Sequence, residues 1–301
     1  MTRLRTRAVP YMMVLPAIVM FTLFLLLPIA YTVYLSVRRL RVSGLGFGGG
    51  ARREVGVGFA NYSASLSDPE LWHGALRVLL YGSIVLPVML GLALVFALLL
   101  DSSVIRLRRF SRIAIFLPYA VPGVIATLLW GFMYLPSVSP ILNVMQRLHL
   151  PQPDFLTPVA IFPSLANIAV WGGVGFNMLV LYTALRAVPR ELYDAARVDG
   201  CSELQLALRV KIPLLLPAII LVSVFSIIAT LQVFSEPTTL RPLTNTILST
   251  WSPLMKVYRD ALIQNDIYSA AATSVIIAAA ALLLSFGFLR VVQRRAFGEM
   301  S

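Results

Sequence analysis

The sequence predicts an all-α, polytopic membrane protein with six transmembrane helices. Three observations carry that prediction. The 301-residue chain is 58% apolar and 13% charged, whereas soluble domains are nearer half apolar and a quarter charged. Six stretches lack Asp, Glu, Lys and Arg, and each is long enough to cross hydrocarbon, which takes about 20 apolar residues. The charges are confined to the gaps between them. Hydrocarbon offers no water to the backbone, so these stretches pair their polar groups internally as helices.

In chain order, residues 1–10 form a basic N-terminus and residues 11–37 the first span. Arg3, Arg5 and Arg7 precede that span in the manner of a secretion signal. Its apolar run is too long for a signal core, so it is expected to be retained. A loop at 38–77 follows, then spans at 78–100 and 113–136 joined by 101–112. A loop at 137–157 leads to the span at 158–185. Residues 186–211 lead to the span at 212–234, and a loop at 235–266 leads to the last span at 267–289 and a tail at 290–301. Pro16, Pro28, Pro87, Pro118 and Pro122 lie inside spans, where prolines kink helices around a pathway.

Charge sets the expected orientation. With both termini cytoplasmic, the inner segments hold fifteen Lys and Arg residues and the outer ones ten, in the sense of the positive-inside rule. The first outer loop opposes the trend with Arg38, Arg39, Arg41, Arg52 and Arg53. No feature of the sequence accounts for those arginines, and the run Gly48–Gly50 reads as flexible. The net charge of +12 does not indicate nucleic acid, because the basic residues flank apolar runs. The single Cys201 and the separated His73 and His149 exclude a disulfide framework and a cysteine or histidine metal cluster.

The inner segment at 186–211 is the most informative. Pro189 suits the first position of a helix and Glu191 its positive first turn. Gly200 suits a left-handed helix terminus. Ser202 and Gln205 have the spacing of a capping box for a second helix. Leu204, Leu206 and Leu208 read as an apolar strip that needs a partner surface or lies on the lipid interface.

The run Asp194-Ala195-Ala196, then Gly200, then Val210-Lys211-Ile212-Pro213 resembles the EAA signature of ABC importer permeases. Val188-Pro189, Tyr193 and Val198-Asp199-Gly200 resemble its carbohydrate-uptake branch. Leu117–Gly123, Phe59-Ala60-Asn61-Tyr62 and Gln232-Val233-Phe234 extend the likeness to the F-type subunit of maltose systems. Two departures stand out. The acid usual after that Phe is Ser235 here, and the glycine-rich element is absent near Thr238-Thr239-Leu240.

The resemblance implies a type I ABC importer permease fold, with a core at about residues 75–290. It implies that Glu191, Asp194, Ala195, Ala196, Gly200 and Pro213 belong to a helix pair docking on a cytoplasmic ATPase dimer, in the membrane of a bacterial cell. ATP and Mg would be bound by that partner, and no cofactor by this chain. Neither Lys211 nor Lys256 follows the glycine spacing of a phosphate loop. The other implied partners are a second homologous permease, an extracytoplasmic solute-binding protein or lipoprotein, a sugar and membrane lipid. Local match carries a substrate path onto Tyr119, Gly123, Ala169, Gly172, Gly173, Ser226, Ala229, Thr230, Gln232 and Val233. Tyr119 equally suits packing, and Ser226 and Thr230 suit helix–helix hydrogen bonds better than binding. A permease for another small polar solute, such as glycerol phosphate or a polyol, is the nearest alternative. An ion-coupled transporter would show repeated halves or charged midplane helices, and a membrane enzyme a cluster of acids or histidines.

Overall fold

The computed structural model describes residues 2–42, 52–102 and 107–297. Gly48–Gly50 and Arg106 lie outside the described residues. Helix α1 (Thr2–Phe21) passes through a π turn at Thr22–Leu26 into α2 (Leu27–Ser36). Strands β1 (Arg38–Val42) and β2 (Arg52–Gly56) follow, then α3 (Ala60–Leu66), α4 (Pro69–Asp101) and α5 (Arg108–Phe116). A 3-10 turn at Leu117–Ala120 precedes α6 (Gly123–Tyr134), α7 (Pro140–Arg147), α8 (Ile161–Ala187), α9 (Arg190–Val198) and α10 (Glu203–Leu206). A second π turn at Ala207–Lys211 enters α11 (Ile212–Leu231). The chain ends through α12 (Ser235–Leu240), α13 (Pro253–Tyr258), a third π turn at Arg259–Ile263 and α14 (Ile267–Phe297).

Among the described residues, five helical stretches are long and apolar enough to cross a membrane: Tyr11–Ser36, Pro69–Asp101, Ile161–Ala187, Glu203–Leu243 and Ile267–Val292. Arg108–Ala120 and Gly123–Tyr134 are apolar enough only when taken together, and they are bent by 95°, as a broken span or a re-entrant loop. The stretch expected as one span at 113–136 is thus broken. Its cause is local: a residue before proline is pushed out of helical geometry, and Val121 is extended (φ −78°, ψ 127°) ahead of Pro122. Two of the three π turns have a related origin. Leu27 and Ile212 each donate to the carbonyl five residues back, and each precedes a proline that has no N–H and crowds the carbonyl four back.

The loops are more structured than the sequence suggested. Residues 38–77 carry a short antiparallel ribbon, α3 and the start of α4 within an otherwise helical chain. Residues 235–266 carry α12, α13 and the third π turn.

The chain divides into two compact units, Met1–Trp72 with Lys256–Ala279 and His73–Met255 with Ala280–Ser301. In the first, β1 pairs with β2 from Arg38 opposite Gly56 to Val42 opposite Arg52. Arg38 lies over the Tyr34 ring at 4.1 Å and 3.8 Å from Glu54, whose other oxygen accepts from Tyr268 at 2.7 Å. Buried Asn61 donates to Ser36 O at 2.9 Å and Arg38 O at 2.6 Å, fastening the end of α2 to the ribbon. A charge network joins the start of α4 to α13. Lys256 is buried between Asp260 at 2.5 Å and Asp68 at 2.9 Å, and Arg259 bridges Glu70 at 2.6 Å and Asp260 at 2.8 Å.

In the second unit, the core runs along α4, α8 and α11. Trp251 is buried there, edge-on to Tyr81 at 6.2 Å and beside Phe162 at 5.9 Å. The backbones of α8 and α5 touch at Gly175. A Cβ there would overlap Ile115 O and come within 2.7 Å of Phe116 Cα. Backbone cannot step aside as a side chain can. Gly175→Ala is therefore expected to lower stability by about 1–3 kcal/mol, read as an earlier thermal transition of the purified protein in detergent.

The charge network makes a pH prediction. Burial opposes the Asp68 carboxylate, but hydrogen bonds from Lys256 and the Glu70 amide, with the Lys256 and Arg259 charges, hold its pKa below the ordinary 3.8. Burial opposes Lys256 too, yet Asp260 and Asp68 hold its pKa above the ordinary 10.5. The lowered carboxylate stabilises the fold above its unfolded pKa and loses that contribution as pH falls through the folded value. The raised ammonium stabilises below its unfolded pKa and loses that contribution as pH rises through the folded value. Asp68→Asn should therefore lower the melting temperature between those limits. In melts recorded over a pH series, the difference from the parent should close under acid conditions.

Candidate functional site

Two features of the second unit carry the chemistry: the α9–α10 element and a cavity between the core helices. Val188, extended ahead of Pro189, ends α8. Pro189 itself is the residue before α9, with Arg190 in the first helical position, one place later than its composition suggests. Gly200 N donates to Arg197 O at 3.0 Å and Cys201 N to Ala196 O at 3.1 Å, the paired bonds of a left-handed helix terminus. Gly200 has φ +86°. Ser202 and Gln205 then form a reciprocal capping box.

Glu191, Asp194, Ala195, Gly200 and Pro213 are exposed, and Ala196 is half-buried. Asp194 pairs with Arg197 at 3.1 Å, and Arg197 with Glu203 across the break at 3.0 Å. Such exposed pairs contribute little to stability. The strip expected at Leu204, Leu206 and Leu208 does not form, because a two-residue spacing does not follow one helix face. Leu206 is buried while the other two are exposed. The exposed apolar strip lies instead on α9, at Leu192, Ala195 and Val198.

The element is anchored from beneath. Tyr193 is buried, donates to Leu185 O at 3.3 Å and lies under Lys211 Nζ at 5.0 Å. Burial and the Asp101 charge hold its phenol above the usual range. Lys211 bonds Asp101 at 2.6 Å, with the side chains 5% and 7% exposed. Removing one partner of such a buried pair costs about 3–5 kcal/mol, because the other charge is stranded. Sequence reading missed this pair because 110 positions separate its members.

The cavity has a volume of about 540 Å³, within the range of small-molecule sites. All ten residues of the expected path line it. Tyr119, at the break before α6, stacks on Phe176 at 5.0 Å. Gly123 lies at the start of α6. Ala169, Gly172 and Gly173 contribute from α8, where a Cβ on Gly173 would press on Met89 Sδ at 2.7 Å. Ser226, Ala229 and Thr230 contribute from α11, and Gln232 and Val233 from the turn beyond it. Ser226, Thr230 and Val233 are buried; Gln232 is exposed. The structure adds Tyr81, Asn177 and Glu236 to the lining. Glu236 is the single charged residue there among the described residues. It follows Ser235, so an acid does stand beside the Gln232–Phe234 element, one place later than the family pattern puts it.

Residues 90–298 match the family of binding-protein-dependent transport system inner membrane components. The chain belongs to this family. Its members are transport subunits, so this chain is not an enzyme. It is 27% identical over 293 residues to the sn-glycerol-3-phosphate transport system permease protein UgpA of Agrobacterium fabrum, covering 96% of each chain. It is 30% identical over 227 residues to the trehalose/maltose transport system permease protein MalF of Thermococcus litoralis, covering 74% of each. Its fold matches a chain from the crystal structure of a bacterial alginate ABC transporter in complex with an alginate pentasaccharide-bound periplasmic protein. That match has a TM-score of 0.81 and 21% identity, covering 98% of each chain.

Gly200 isolates the contribution of the helix break. No atom of the described residues would meet a Cβ there, so the cost of substitution comes from the positive φ, at about 1–2 kcal/mol. Gly200→Leu is expected to leave membrane insertion intact and to reduce transport strongly. Membrane-fraction immunoblots and uptake assays on the same cells measure the two separately.

Proposed function

We propose that this chain is one of two homologous membrane subunits of an ATP-driven importer of a neutral sugar or polyol. Both termini lie in the cytoplasm. A solute-binding protein delivers the cargo from outside, and a cytoplasmic ATPase dimer holds Mg and ATP. The observation that carries the coupling role is α9. It presents Leu192, Ala195 and Val198 to solvent beside Glu191 and Asp194, on a helix braced by Tyr193 and the Lys211–Asp101 pair. An exposed apolar helix face of this kind suits a groove on a partner.

The cavity is the cargo path in this reading. The Tyr119–Phe176 pair is a platform for the apolar face of a sugar ring. Ser226, Thr230, Gln232 and Tyr119 supply hydroxyl and amide groups for hydrogen bonds. Gly123, Ala169, Gly172, Gly173, Ala229 and Val233 leave room. Glu236 accepts from sugar hydroxyls and repels anions, because like charges in a low-dielectric site are costly.

A glycerol phosphate ester is the second reading, favoured by the likeness to the UgpA proteins. The cavity lining has one acid and no Lys or Arg among the described residues, which supports the neutral cargo. Proteoliposomes containing the chain with its partner subunits decide between them. Uptake of a labelled neutral sugar should require internal or external ATP at the ATPase face and persist when ion gradients are collapsed. Glu236→Gln should weaken that uptake by about tenfold, the loss of one charge-assisted hydrogen bond. Uptake of labelled glycerol 3-phosphate in place of sugars would establish the second reading, and uptake driven by an ion gradient without ATP would exclude both.

A further inference from the structure

A second cavity, of about 300 Å³, lies in the same unit between the ends of α4, α5 and α8, helix α9 and the turn at Lys211. Its lining holds Arg108, Arg186, Arg190, Arg197 and Lys211. The acids there are Asp101 and Asp194, and both are already engaged, by Lys211 and Arg197. Arg108, Arg186 and Arg190 have no carboxylate partner among the described residues.

The cavity also holds an unmatched donor. Arg108 gives one Nη2 hydrogen bond to Ser102 O at 2.7 Å, but its Nε–H is buried with no partner among the described residues. Burying an N–H without an acceptor is costly, and a bound acceptor removes that cost. The first turn of α9 opens on the same space, since Val188 and Arg190 line it. Among the described residues no side chain caps that helix start, so its backbone N–H groups add partial positive charge.

We infer that this pocket binds a phosphate-bearing anion. Guanidinium forks match the geometry of phosphate oxygens, and a phosphate dianion neutralises more of the three unpaired cations than a carboxylate does. The space exceeds what a bare phosphate fills and suits an organic phosphate. A phospholipid headgroup and a soluble phosphate ester share that chemistry, and the pocket's place at the ends of membrane-crossing helices makes either accessible. Occupancy would tie α5, α8 and α9 to one another through a shared ligand. The inference rests on these side chains and not on the identity of the cargo.

Thermal unfolding of the full-length chain in phosphatidylcholine nanodiscs tests it, with chloride matched for ionic strength. Titrated inorganic phosphate, or phosphatidylglycerol added to the disc, should raise the melting temperature saturably. A response to phosphate identifies a soluble ligand; a response to phosphatidylglycerol alone identifies a headgroup. Arg108→Gln should weaken the apparent affinity by about tenfold. The exposed pair Arg186→Gln with Arg190→Gln should do the same without endangering the fold. Absence of saturable stabilisation by either probe, or an unchanged response in the double variant, would overturn the inference.

Discussion

The missing N–H of proline, set where no water can compensate, is the constraint from which the working parts of this protein follow. A membrane span needs every backbone group paired, and a proline inside one leaves a carbonyl to be dealt with. Helices α4 and α11 run on through Pro87 and Pro217, and elsewhere the chain responds in three ways. Before Pro28 and Pro213 the helix widens into a π turn and continues. At Pro118 and Pro122 it gives way altogether and bends by 95°. At Pro189 it stops, so that α9 can begin on a new axis. The bend exposes Tyr119 and Gly123 to the larger cavity, and the stop frees α9 from α8. Irregular backbone at membrane depth is tolerated where it lines a cavity, and here the break and the cavity occupy the same place.

The energetic weights differ sharply between the two faces of the α9 element. Its exterior pairs around Arg197 are exposed, and they set geometry more than stability. Its underside is held by Tyr193, Lys211 and Asp101, where burial makes each missing partner expensive. In the proposed coupling role, the docking surface thus stands on a firm base while its outer residues stay exposed. The same division explains why the glycines matter unequally. Gly200 is needed for a backbone conformation, whereas Gly175 is needed because another backbone lies against it.

Much of the architecture was legible because a lipid solvent writes itself into composition. Charge-free runs locate the membrane helices, and the capping box and left-handed glycine locate the ends of α9 and α10. The ribbon was not legible. Arg39-Leu40-Arg41-Val42 alternates over only four residues and Arg-Arg-Glu-Val-Gly not at all, and two of the groups that hold the ribbon, Asn61 and Tyr268, are distant in sequence. The Lys211–Asp101 and Lys256–Asp68 ion pairs were hidden by the same separation in sequence. The apolar strip on α9 was readable from its three-residue spacing but was overshadowed by the leucines beyond the break. Glu236 was overlooked because a family pattern directed attention to Ser235.

The contact at Gly175 has a mechanical consequence. Helix α8 lines the larger cavity at Gly173 and ends at Ala187, about 21 Å further along at 1.5 Å per residue, two residues short of α9. Close-packed interiors transmit strain with little compression, and α8 is keyed to α5 by backbone on backbone. The two helices are therefore locked in register at that contact, with no side chain between them to yield. In the proposed coupling role, a displacement of the far end of α8 is carried along α8 to the Tyr119–Phe176 end of the cavity instead of being absorbed in a soft interface.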